Sequence, residues 1–236
     1  MIYDLLMSLR DGVPIRDILP GILFTIIVVL LSLSLHEMCH AWAAYKMGDH
    51  TARNLGRLTL NPAVHLDFIG TACMLFFGFG WAKPVPVNSR NFRNPRRGII
   101  VTSAAGPASN FVLSFAALLA YALIVSFLPV PYFIDAETTF AGKLLYFLAE
   151  LLTYFHILNL YLAVFNLIPI PPLDGSKILF MFLPARIYFF ASRYERYISI
   201  ALLILLYTGI LSTPVSFICM YISRGMEWLI SLIPGV

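Results

Sequence analysis

The sequence predicts an all-α, polytopic membrane protein of about five transmembrane helices, with one re-entrant segment and a short membrane-associated β-hairpin. Three observations predict it. Of 236 residues, 60% are hydrophobic and 12% charged, with a mean hydropathy of +0.84. Soluble domains carry about 25% charged residues, so there is too little polar surface here to face water on all sides. The apolar residues also gather in runs long enough to cross a hydrocarbon core, which takes about 20 helical residues. Finally, no polar stretch is long enough for a separate soluble domain. The chain is expected to be one membrane-embedded domain over 1–236, with a core at 18–185 and two further spans in 186–236.

The net charge of +4 is modest, and no nucleic-acid partner is expected; the partner is the lipid bilayer. Cys39, Cys73 and Cys219 form an odd, sparse set with no disulfide framework. Ala41-Trp42-Ala43 has the form of a leader-cleavage site. Cleavage there would discard the most polar part of the first apolar run, so that run is read as a span.

Residues 1–17 are mixed. Residues 18–46 form a continuous helical candidate of about 29 residues, roughly 43 Å at 1.5 Å each. Residues 47–62 are polar. Residues 66–79 are apolar but short for a span, which suits a re-entrant or interfacial segment. Residues 80–97 hold Lys83, Arg90, Arg93, Arg96 and Arg97. Within them Lys83-Pro84-Val85-Pro86-Val87 reads as an edge strand, where proline is tolerated.

A second span covers 98–128, and its small residues from Ala104 to Ser109 allow close helix packing in lipid. A short loop, 129–142, leads to a third span at 143–167. That span breaks at Pro169, Pro171 and Pro172, just before Leu173-Asp174-Gly175. Residues 184–196 are charged. Two last spans are expected at 197–212 and 214–234.

The first span ends in His36-Glu37-Met38-Cys39-His40. Ionisable groups inside lipid are rare and usually functional. In the H-E-x-x-H pattern the two histidines lie one helical turn apart and can reach one zinc ion, with the glutamate placed to take a proton from water that zinc acidifies. A catalytic zinc needs a third protein ligand. His50, His65, Asp67, His156 and Asp174 are the candidates.

Topology favours Asp174. The HEMCH motif and Asp174 both lie near the ends of their helices, so they share an ion only if an odd number of spans separates them. Counting 66–79 as re-entrant meets that condition. Of the 16 Lys and Arg, twelve then fall on the HEMCH side and Arg10, Arg16 and Lys143 on the other, with Arg224 unassigned; the positive-inside rule makes the HEMCH side cytoplasmic.

HEMCH in one membrane helix, Ala104-Ala105-Gly106-Pro107-Ala108-Ser109-Asn110 opening the next and FNLIPIPPLDG closing a third, in that order, resemble the site-2 proteases. The resemblance covers about residues 20–185. It implies one zinc per chain held by His36, His40 and Asp174, with Glu37 as catalytic base. It implies hydrolysis of a peptide bond within or near a transmembrane segment of a membrane-protein substrate, as in regulated intramembrane proteolysis. The setting would be a bacterial or archaeal cell membrane, with the active site towards the cytoplasm. Asn166, Pro169 and Val85 are expected to hold an extended substrate segment. The 80–90 region resembles the family's membrane-associated sheet, which pairs with substrate by strand addition.

There are departures. Many members carry a PDZ domain where this chain has only 129–142, and others carry a CBS domain, so the chain resembles the minimal type. Ser176-Lys177 stands where the family often has Gly-His. A zinc transporter is the alternative, since transporters also place histidines in broken helices. A transport path needs several polar sites, whereas this chain has one cluster with a general base beside it. A catalytically silent binding protein of the same fold is a third reading, against which the intact HEMCH and Asp174 speak.

Overall fold

A computed structural model of the chain describes residues 14–77, 80–127 and 139–235, with Arg10 and Gly12. Its contacts group the chain into two compact units, Met1–Gly106 and Pro107–Val236.

The first unit is organised by α1 (Ile15–Met47). Ile15, Leu19, Leu23, Ile27 and Leu31 are exposed on it, while Phe24, Val28, Ser32, His36 and His40 are buried. Both sets step by four residues, and side chains four apart share a helix face. One stripe therefore meets lipid, and the opposite stripe carries the packing that leads down to the two histidines. The helix stops at Gly48, whose φ of 108° is left-handed and whose N–H bonds back to Ala44 and Tyr45. A side chain there would also strike the carbonyl of Asn91, 3.1 Å from the position of a Cβ.

After α2 (Thr51–Asn54) and a 3₁₀ turn at Pro62–Val64 comes α3 (Phe68–Phe77). Ten residues of helix reach about 15 Å, half of a hydrocarbon core, so α3 does not cross on its own. Asp67 caps it by accepting from the Gly70 N–H at 2.8 Å. The chain then returns beside the turn. Leu66 and Ala82 form an isolated antiparallel bridge, and the Lys83 N–H donates to His65 O at 2.7 Å. Among the described residues there is no β-strand, so the expected hairpin is reduced to this bridge. The physical reason is that Pro84 and Pro86 have no N–H with which to extend the ladder.

Asp49 is fully buried. It accepts from the N–H and hydroxyl of Thr51, the N–H of Asn88 and the side-chain amide of Asn91. Burial by itself would raise its pKa. The four donors outweigh burial and hold the carboxyl below its ordinary value. The stability it contributes is therefore complete above the ordinary carboxylate range and is lost as pH falls through the depressed pKa. Asp49→Asn is expected to cost about 1–3 kcal/mol at neutral pH by mispairing these donors. It should also flatten the acid limb of a plot of melting temperature against pH.

The long helix α4 (Pro95–Phe127) starts in the first unit and continues into the second; its starting proline sits where no N–H partner is needed. The second unit adds α5 (Phe140–Asn166), α6 (Asp174–Phe180), α7 (Ala185–Tyr207) and α8 (Ser212–Ser231), with α8 packed on α5. Most of the expected loop at 129–142 lies outside the described residues.

Among the described residues, three helices are long and apolar enough to cross a membrane: Ile18–Met47, Pro95–Phe127 and Phe140–Asn166. The two separate C-terminal spans are not confirmed. Arg186–Tyr207 and Ser212–Ser231 qualify only as a pair, bent by 76°. The charges explain it: Arg186, Arg193, Glu195 and Arg196 occupy the start of α7, and Arg224 and Glu227 the end of α8, leaving neither with a sufficient charge-free length.

Candidate metal centre

His36 and His40 close the buried stripe of α1. Four residues advance a helix by one turn and about 40°, so both rings leave the same face. Their Nε2 atoms stand 3.0 Å apart, with the rings edge to face at 86°. Nδ1 of His40 lies 2.7 Å from the carbonyl oxygen of Thr102 on α4. A carbonyl only accepts, so Nδ1 carries the proton and Nε2 keeps its lone pair for a metal. Hydrogen bonds of this kind orient a ligand ring and raise its basicity.

The space beside the two nitrogens is supplied by Gly106. A Cβ on it would fall 2.4 Å from His40 Nε2 and 2.6 Å from His36 Cε1. Two nitrogens on a tetrahedral zinc at about 2.0–2.1 Å stand roughly 3.3 Å apart. The observed pair meets that with a shift of a few tenths of an ångström, so these residues fit the ion.

Glu37 is buried beside them, and its Oε2 accepts a hydrogen bond from the Val85 N–H at 3.1 Å. The first unit thus brings His36, His40, Glu37 and Val85 together.

Asp174, Asn166 and Pro169 belong to the second unit. Asp174 is the first residue of α6 and is 5% exposed. Its Oδ1 pairs with Lys177 Nζ at 2.9 Å. A Cβ on the following Gly175 would lie 2.2 Å from Leu167 O, so only glycine lets α6 start this close to the end of α5. Asn166 ends α5 and donates from its side-chain amide to Leu162 O at 3.0 Å. Pro169 is exposed.

The other candidate ligands have different partners. The two ring nitrogens of His156 bond Ser114 and Ser223 at 2.9 Å each, tying α5 to α4 and α8. His65 Nε2 bonds the Thr59 carbonyl, holding the turn before α3. His50 Nδ1 lies 3.1 Å from Gly48 O. The carbonyl of Thr102 and the N–H of Val85 escaped the sequence reading because backbone groups carry no residue signature. Asp49 had one available signal, its place just past a helix-ending glycine.

The family model "Peptidase family M50" matches residues 24–208. Three relatives each bear the name "Putative zinc metalloprotease". YwhC of Bacillus subtilis is 40% identical over 185 residues, 78% of this chain and 80% of the relative. Rip2 of Mycolicibacterium smegmatis is 30% identical over 62% of this chain and 52% of its own length. MJ0611 of Methanocaldococcus jannaschii is 30% identical over 66% and 72%. No solved structure matches. The matched segment contains the HEMCH helix, Gly106 and the Leu173-Asp174-Gly175 turn, and with it the chain belongs to peptidase family M50, the site-2 proteases, as a membrane-embedded metalloprotease.

Proposed function

We propose that this protein hydrolyses a peptide bond within or near a transmembrane segment of a membrane-protein substrate, as a step of regulated intramembrane proteolysis. Its metal is zinc, the ion in the names of its relatives, one per chain, held by His36, His40 and Asp174. The observation that carries the reading is the pair of buried Nε2 atoms at 3.0 Å. The Thr102 carbonyl fixes the ring of His40, and Gly106 leaves the space in front.

Bound zinc supplies a Lewis acid that polarises the scissile carbonyl and acidifies water. Glu37 takes a proton from the water that attacks the carbonyl carbon. It then delivers that proton to the amine that leaves as the C–N bond breaks. Burial of Glu37 strengthens its interaction with the reacting groups, because the local dielectric is low. A helical substrate must unwind before its carbonyl can react. Asn166, whose amide both donates and accepts, Pro169 in the tight turn that follows α5, and Val85 through its side chain and carbonyl, its N–H being taken by Glu37, hold the unwound segment. The site faces the cytoplasm of a bacterial or archaeal cell in this reading, which the Lys and Arg expected on the HEMCH side support through the positive-inside rule.

The test is zinc per chain in purified protein, for the parent and for Asp174→Ala. One zinc in the parent, lost from the variant on dialysis, is the expected result. Zinc retained by the variant would move the third ligand elsewhere.

A further inference from the structure

We propose that the Val85 main-chain N–H is the group that positions Glu37 for proton transfer, and that Lys83–Asn88 is a strap built to aim it. The inference rests on Glu37 being the base, and deepens that reading by assigning what holds it.

The donor is singled out by its neighbours. Pro84 and Pro86 have no N–H, so Val85 carries the one donor between Lys83 and Val87. That donor goes to Glu37 Oε2 at 3.1 Å. Residues before proline are confined to extended backbone, and here both Lys83 and Val85 precede one. The direction of the Val85 amide is thus set by local sterics before any contact forms.

Both ends of the strap are fastened to elements that flank the HEMCH helix. At its start the Lys83 N–H donates to His65 O at 2.7 Å. The Arg57 guanidinium, on a residue only 8% exposed, reaches the carbonyls of Val64 and Lys83. A buried cation spent on backbone carbonyls is costly, which marks this junction as one where rigidity matters. At the far end the Asn88 N–H donates to Asp49 Oδ2 at 2.7 Å and the Asn91 amide to Oδ1 at 2.9 Å. Asp49 lies just past the end of α1, so the strap is pinned to the same helix that carries Glu37.

A carboxylate accepts through both oxygens. With Oε2 held by Val85, rotation of the Glu37 side chain is restrained, and the proposal assigns Oε1 to the water. A base held within a few tenths of an ångström is worth far more than one that rotates. The competing role for the same contact is a latch, in which the strap occupies the base until substrate displaces it. The two differ in sign: losing the donor slows a positioned base and releases a latched one.

The experiment replaces Val85 by its α-hydroxy acid analogue through nonsense suppression. This turns the amide into an ester and deletes the N–H with little change of shape. Val85→Pro, which deletes the same donor, is made alongside. The probe is a detergent-solubilised single-span peptide, chosen from a library as one the parent cuts, with Glu37→Gln as reference. If the ester protein keeps one zinc, keeps KM within about twofold and loses kcat by about 10- to 100-fold, the range for removing a hydrogen-bond partner behind an active site, the proposal stands. An unchanged kcat, a raised kcat, or a loss carried by KM alone overturns it while leaving Glu37 as the base. A Glu37→Gln protein that cuts the probe as fast as the parent overturns the assignment of the base and this inference with it.

Discussion

Glu37→Gln is expected to abolish proteolysis while the protein keeps its zinc and its fold. Glutamine has the size of glutamate, and its side-chain oxygen still accepts the hydrogen bond that Glu37 Oε2 takes from Val85. The two histidines, one residue before and three after, keep their contacts. What disappears is the capacity to take up a proton. General-base catalysis is worth about 10²- to 10⁴-fold, and each tenfold is about 1.4 kcal/mol of barrier. Cleavage of a single-span peptide should therefore fall by roughly 10³-fold with unchanged zinc per chain. The same variant decides against transport, since an ion carrier needs the ligands and not the base. A Glu37→Gln protein that retained parental cleavage would remove Glu37 from the mechanism.

Gly106→Ala is expected to empty the metal centre. Its Cβ would sit 2.4 Å from His40 Nε2 and 2.6 Å from His36 Cε1, closer than van der Waals contact. Neither ring can step aside cheaply. Both are buried, and His40 is tethered to Thr102 O, one turn earlier on the same helix as Gly106. Moving α4 away would break that tether as well. Alanine in a helix interior is otherwise favoured over glycine by about 1 kcal/mol, so helicity should hold or rise while zinc is lost. Metal analysis with circular dichroism on one sample reads both. Zinc retained at one per chain would place the ion away from Gly106.

The signals that made this protein legible were periodic and local. The spans at 18–46, 98–128 and 143–167 were readable because a lipid-facing helix must be apolar over a fixed length, and they return as α1, α4 and α5 within a few residues. The two C-terminal spans are not confirmed as separate crossings: Arg224 and Glu227 interrupt the second, and Arg186–Tyr207 and Ser212–Ser231 qualify only as a pair bent by 76°. The edge strand at Lys83–Val87 was half legible. Its extended backbone follows from the two prolines, but the same prolines stop it from joining a ladder.

The sequence by itself determined that this chain lives in a membrane and that two histidines and a glutamate share one turn of a helix within it. Composition and helical spacing are properties of the chain alone, so no partner is needed to read them. Only the tertiary structure decided what holds those three side chains. Thr102 bonds His40 through its carbonyl, Val85 bonds Glu37 through its N–H, and Gly106 contributes a missing Cβ. Every residue but proline has the same backbone donor and acceptor, and a void has no letter. Such contributions come into being when distant stretches of chain are packed together, and the chemistry of the centre depends on them.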